Sequence, residues 1–248
     1  MQKFFVEHAQ IEGNKTKIIG SDVNHITNVL RLDIGEKILV GDKQLGETYF
    51  GSIVEKSKDA VIVNIIEKNE TKTEPNVYIH LFQGLPKSDK MEYIIQKCTE
   101  IGVSEITPVA MSRCIVKIDE KENLKKNQRW QQIAKSAAEQ SKRDIIPKIN
   151  LTNNFKNIFE NFKEYDIVLV AYEEERINNI KNVLQNLKNS SHKIAIIIGP
   201  EGGLEESEVN EIIRHGGKSV SLGKRILRVE TAPLVMSTII LYELGDEK

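Results

Sequence analysis

Five consecutive apolar residues, Ile194 to Ile198, run without a break and stop at Gly199. So short a run, bounded by glycine and proline, predicts a strand buried on both faces, as in the parallel sheets of α/β proteins. In the turn that follows, Gly199, Gly202 and Gly203 leave little side chain, so backbone can approach a ligand or another segment closely. Glu205, Glu206 and Glu208 then fill the first turn of a predicted helix, where carboxylates favour the positive end of the dipole. Three carboxylates there would repel a phosphate, and neither G-x-G-x-x-G nor G-x-x-x-x-G-K-[ST] occurs. The turn therefore suits a neutral or cationic small molecule, or it is an ordinary tight strand-to-helix turn.

From Val77 onward strands and helices alternate. Val77–Gln83 reads as a strand running into Gly84. Ser88 reads as the cap of a helix with Met91, Ile94, Ile95, Cys98 and Ile101 on its apolar stripe, ended by Gly102. Glu105–Val109, Ile167–Ala171 and Lys218–Leu222 read as further strands. Helices are predicted over Arg129–Ser141, with Trp130, Ala134 and Ala138 inward, over Ile177–Leu187 and over Glu205–Arg214. The charged stretch from Arg113 to Asn127 reads as a loop. Thr231 opens a C-terminal helix with Pro233 in its first turn. This order implies a largely parallel sheet with crossovers.

Residues 1–70 look different. Strand-like pieces at Phe4–Val6, Lys37–Val40, Tyr49–Glu55 and Ala60–Ile66 recur at about ten-residue spacing between turn residues, which predicts a small β-barrel. One helix interrupts it, capped by Ser21 or Asp22, with Val23, Ile26, Val29 and Leu30 on one face. His25 reads as a surface or capping residue. The polar stretch 67–76, ending near Pro75, is the predicted linker, giving domains 1–70 and 77–248.

The formal net charge is −1, so any nucleic-acid surface must be local. It is: residues 85–148 hold 13 Lys/Arg against 9 Asp/Glu, and Lys218, Lys224, Arg225 and Arg228 cluster near the glycine turn. Such segregation fits an RNA-facing surface. For Lys117, Lys121, Lys125 and Lys126 the solvated side of a loop explains the charge as well. Two cysteines without C-x-x-C spacing fit a reducing cytoplasm rather than a disulfide framework, and the histidines do not pair at metal-ligand spacing. The opening MQKFFVEHAQ has no hydrophobic signal core, and no apolar run reaches the roughly 20 residues of a membrane span.

Several stretches together resemble one known family. IGPEGG and LGKRILRVETAP are similar to the cofactor-binding half of the SPOUT-class methyltransferases. With HITNVLRLDIGE, Lys87 and KMEYIIQKCTEIGVSEITP, Arg113 and SAAEQSKRDIIP, the chain resembles the RsmE group end to end. That group methylates N3 of a uridine in the decoding region of bacterial 16S rRNA. The resemblance implies an α/β fold whose C-terminal domain holds a trefoil knot, with a PUA-like N-terminal barrel. It implies S-adenosylmethionine bound in the knot, the small ribosomal subunit as partner, and a homodimer with sites at the subunit interface.

On that reading three segments close around the cofactor: Val170, Ala171 and Tyr172; Ile198, Gly199, Pro200, Glu201, Gly202 and Gly203; and Leu222 to Ala232. Backbone groups of Leu222, Ile226 and Leu227 would bond the adenine edge, Ile198 and Leu227 would pack its faces, and Gly223 would allow the bend. Thr231 is a ligand contact or only a cap. Arg228 would stabilise charge on the uracil oxygens. Glu139 or Glu230 would be the base, or a structural carboxylate paired with arginine. Arg31, Lys87, Arg113, Lys142 and Arg143 would hold RNA, with the target base splayed out. The competing reading is a non-catalytic RNA-binding or ribosome-assembly protein; fold alone does not separate the two.

Overall fold

The structure is a computed structural model and describes residues 1–116, 118–187 and 192–245. Lys117, one of the four loop lysines, lies outside the described residues. The chain divides into two compact units, Met1–Glu74 with Ala138–Ile146, and Pro75–Ala137 with Pro147–Lys248.

The first unit is a curled six-stranded sheet. Its strands are β1 (Lys3–Val6), β2 (Ile11–Glu12), β3 (Lys15–Ile19), β4 (Lys37–Asp42), β5 (Glu47–Lys56) and β6 (Ala60–Lys68), in the order β1-β4-β5-β6-β3-β2. All pairings are antiparallel except that of β1 with β4. Alternate residues of β3, Thr16 and Ile18, point inward and the lysines outward. Phe4, Ile18, Ile26, Ile38, Ile53 and Val63 share one core, so strands from both ends of the order face the same interior.

The helix after β3 is not the regular one expected. α1 (Ser21–Asn24) continues as a π-helical turn over His25–Val29, in which the Leu30 amide donates to the His25 carbonyl at 2.9 Å. The extra residue in the turn rotates Val29 to the surface, while Val23 and Ile26 stay buried.

The segment Ala138–Ile146, within the 77–248 stretch by sequence, packs with the first unit. Its attachment is a buried polar cluster with no sequence pattern. Lys3 Nζ reaches Asp144 Oδ1 at 3.1 Å and donates to Thr48 Oγ1 at 2.6 Å. Thr48 Oγ1 in turn donates to Asp144 Oδ1 at 2.5 Å, and the Thr73 amide to Oδ2 at 3.0 Å. Arg143 Nη2 lies 2.5 Å from Glu74 Oε2, and the Asp144 amide donates to Glu74 Oε1 at 2.9 Å.

The second unit is a parallel sheet. β7 (Tyr78–Gly84), β8 (Glu105–Ala110), β9 (Lys148–Ile149), β10 (Asn153–Asn154), β11 (Ile167–Ala171), β12 (Lys193–Ile198) and β13 (Lys218–Val220) run β10-β8-β7-β12-β11-β13, with β9 on β8. The strand expected to be buried on both faces is β12. It pairs with β7 and β11, and Ile194 to Ile198 are all buried. One face carries Ala195 and Ile197 into a core with Phe82, Val168, Val170 and Leu204.

Helices α2 (Lys90–Ile101), α3 (Glu120–Ser141), α4 (Ile180–Gln185), α5 (Glu206–Arg214) and α6 (Ala232–Leu244) complete the chain, with a 3-10 helix at Phe155–Glu164. α2 begins after Asp89, and Ser88 has a positive φ of 54° instead of capping it. α3 starts nine residues before the expected Arg129. Asp119 Oδ1 accepts the Glu122 amide at 2.8 Å, and Glu122 pairs with Lys126 one turn on. A cap and an ion pair make this turn helical although Leu124 is the one apolar residue between Glu120 and Asn127.

Candidate active site

β11, β12 and β13 end side by side at Ala171, Ile198 and Val220, and the segments leaving them enclose a cavity of about 730 Å³. Ligand sites of open α/β sheets lie at this edge, beyond the carboxyl ends of the strands.

The middle segment is shaped by glycine. A Cβ on Gly84, at the end of β7, would lie 2.6 Å from the Pro200 nitrogen, so only glycine lets β7 and the turn touch. Gly203 has φ of 71°, and a Cβ there would meet Glu173 Oε1 at 2.5 Å. A Cβ on Gly202 would face Arg113 Cβ at 3.2 Å rather than the cavity. Gly202→Val would therefore displace arginine instead of filling the cleft.

Two of the acids after the turn, Glu205 and Glu208, are structural. Glu205 caps α5, Glu208 completes a reciprocal capping box, and Glu208 Oε1 also accepts the Ser112 amide at 2.9 Å. That bond holds the Met111–Arg113 turn in place, and Arg113 Nη1 donates to the Gly202 carbonyl at 2.8 Å.

The segment after β11 is tied down by Glu175. Its carboxylate accepts the Ser219 hydroxyl, the Ile177 amide at 2.7 Å and the Asn178 amide at 3.0 Å. The Ser219 bond first, then the amides, bring its pKa down from 4.5 to about 2. A depressed carboxylate stabilises the fold above its unfolded pKa and loses that contribution as pH falls through the folded one. The melting-temperature gap between wild type and Glu175→Gln is expected to close between pH 4.5 and about 2, as followed by circular dichroism.

The third segment, Ser221 to Val229, is the least committed. Among the described residues, no hydrogen bond claims the main-chain groups of Leu222, Ile226 or Leu227. Peptide groups beside apolar Ile198, Leu204 and Leu227 suit a flat heteroaromatic ring with a polar edge. Glu173 and Glu174 line the cavity from one segment, and Lys224, Arg225 and Arg228 from another. Arg228 is exposed and pairs with no carboxylate among the described residues; its carbonyl accepts the amides of Thr231 and Ala232, both at 2.9 Å.

Most of the expected cofactor residues line this cavity: Ala171 and Tyr172; Ile198, Gly199, Pro200, Glu201, Gly202 and Gly203; Leu222, Gly223, Ile226, Leu227, Arg228 and Ala232. Two do not. Val170 is fully buried in the sheet core. Thr231 sits at the start of α6, and its side chain makes no capping bond.

The base candidates change as well. Glu139 belongs to the Ala138–Ile146 segment and is not among the lining residues. Glu230 Oε2 lies 3.3 Å from the Lys90 ammonium, so it is a carboxylate paired with a cation. Arg143 is 3% exposed and held by Glu74, so it is not the RNA contact expected. Lys142, Arg31 and Lys87 are exposed, and the Lys87 amide donates to Glu201 Oε1 at 3.0 Å. Lys90, a cavity residue between two acids, was missed; a lone lysine at a helix start carries no motif. Among the described residues no group of three or more His, Cys, Asp or Glu could hold a metal ion, and no helix is long and apolar enough to cross a membrane.

Fold and site together define an RNA methyltransferase. The family model described as an RNA methyltransferase domain matches residues 73–241, and the RNA methyltransferase PUA domain matches residues 18–66. A ribosomal RNA small subunit methyltransferase E of Bacillus subtilis is 38% identical, covering 98% of this chain and 97% of the relative. The Mesomycoplasma hyopneumoniae protein of the same name is 36% identical over 96% of this chain and 98% of its own. A crystal structure of the Neisseria gonorrhoeae enzyme of that name, bound to S-adenosyl methionine, superposes with a TM-score of 0.89 at 29% identity, covering 100% of both chains. The chain belongs to the ribosomal RNA small subunit methyltransferase E family.

Proposed function

We propose that this protein methylates N3 of a uridine in the decoding region of 16S rRNA, with S-adenosylmethionine as donor and the assembled small ribosomal subunit as substrate. One observation carries the reading: the uncommitted peptide groups of Leu222, Ile226 and Leu227, set beside apolar walls at the carboxyl edge of the sheet. They fit an adenine edge, and a glycine turn with no cation at its helix start fits a donor that carries no phosphate.

The bound donor supplies an electrophilic methyl group on a sulfonium centre. The protein supplies position and charge. In-line attack needs the nucleobase held at contact distance, which lowers the barrier without any further group. N3 must give its proton to solvent at the open cavity, and negative charge then spreads to O2 and O4. Arg228, exposed at the cavity and unpaired among the described residues, stabilises that charge. Lys224 and Arg225 hold the flanking phosphates from the same segment. Splaying the uridine from its stack brings N3 to the cavity.

The reading includes a trefoil knot formed by the chain after β13, a cytoplasmic location and a homodimer. Leu234, Val235 and Ile239 of α6 are half-buried and Tyr242 is 84% exposed, an apolar stripe suited to a second copy. The non-catalytic RNA-binding reading leaves the cavity without a role. Mass mapping of methyl groups in 16S rRNA from cells with and without the gene tests the proposal. One uridine methyl is expected to vanish with the gene and to return when small subunits, protein and donor are combined. An unchanged map would refute it.

A further inference from the structure

We propose that Lys90 is a positioning residue that braces the two glycine-bearing bends of the cavity against each other. The proposal rests on the donor-site reading above and extends it to a residue outside all three cavity segments.

Lys90 is the first residue of α2, placed there by the chain leaving β7 through Gly84. Its Nζ lies 3.1 Å from Glu201 Oε1 in the turn after β12, and 3.3 Å from Glu230 Oε2 just before α6. These acids are far apart in sequence and sit in the two segments that must meet to form the cavity. One ammonium between two carboxylates removes their mutual repulsion and fixes their spacing.

The electrostatics agree. The Glu201 hydrogen bond is the largest of the effects that raise the Lys90 pKa, and Glu230 adds to it. Burial alone would raise the Glu201 carboxyl, but the Lys87 amide, its own amide and then Lys90 together outweigh it and hold it below the ordinary range. Lys90 also lines the cavity, so bracing acts where the donor would lie. Partly exposed ion pairs contribute little to global stability. Two of them sharing one cation act instead on local order, and a binding site that is less often formed binds more weakly in proportion.

The test compares the full-length wild type with Lys90→Met, which keeps the stem and removes the charge, and with Lys90→Arg. Lys90→Met is expected to raise the Kd for S-adenosylmethionine about fivefold to tenfold, with the loss appearing in KM for the donor rather than in kcat. Amide exchange in the unliganded protein is expected to speed up in both 199–204 and 226–231. Lys90→Arg is expected to restore binding and exchange. Wild-type Kd in Lys90→Met, or faster exchange in only one bend, would overturn the brace. If wild type fails to bind the donor while both bends still loosen together in Lys90→Met, the donor assignment falls and the brace stands.

Discussion

Arg228→Ala is expected to slow methyl transfer by about 10²- to 10³-fold while the Kd for S-adenosylmethionine changes little. The magnitude is that of losing one preorganised group aimed at developing charge. Arg228 is placed by its own backbone: its carbonyl accepts the amides of Thr231 and Ala232, so the turn into α6 fixes its Cα. Its guanidinium is uncommitted among the described residues, unlike that of Arg113, which bonds the Gly202 carbonyl. Single-turnover kinetics on small ribosomal subunits, beside a donor titration, separates the two effects. Arg228→Lys keeps the charge but not the planar fork, and is expected to recover part of the rate. A variant that binds donor tenfold more weakly at full rate would place Arg228 in donor binding instead.

Asp144→Ala is expected to destabilise the first unit by about 3–5 kcal/mol, because it strands the buried Lys3 ammonium. Lys3 is 2% exposed, and burial lowers its pKa more than Asp144 restores it, a sign that desolvation outweighs the attraction. The Asp144 carboxyl is pushed up by burial, yet bonds from Thr48, Thr73 and Lys3 bring it below the usual range. Replacing both partners by apolar residues, Lys3→Met with Asp144→Leu, is expected to recover most of the loss. Urea unfolding followed by circular dichroism reads both results. A single variant within about 1 kcal/mol of wild type would show that the pair is not desolvated as described.

How much of this was legible in the sequence varied with the kind of interaction. The Ile194–Ile198 run and its glycines announced a central strand and a close turn, because burial on both faces and missing side chains write themselves into composition. The end-to-end family resemblance located most of the cavity. Contacts between distant polar side chains left no such mark. Nothing near Lys3 predicts Asp144, so neither the packing of Ala138–Ile146 with the first unit nor the pairing of Arg143 with Glu74 is legible in the sequence. Lys90 is equally silent, and of the two roles the sequence leaves open for Glu230, base or paired carboxylate, its contact with the Lys90 ammonium fits the second. The first turns of α3 carry no apolar stripe and so read as loop, yet a cap and an ion pair make them helical. The π-helical turn at His25–Val29 inserts a residue that a period of 3.6 does not anticipate.

The most direct measurement is a crystal structure of the protein grown with S-adenosylmethionine. The donor is expected at the carboxyl edge of β11 and β12, its adenine packed between Ile198 and Leu227 and bonded to the peptide groups of Leu222, Ile226 and Leu227. A donor bound elsewhere, or those peptide groups closed onto the protein itself, would contradict the site.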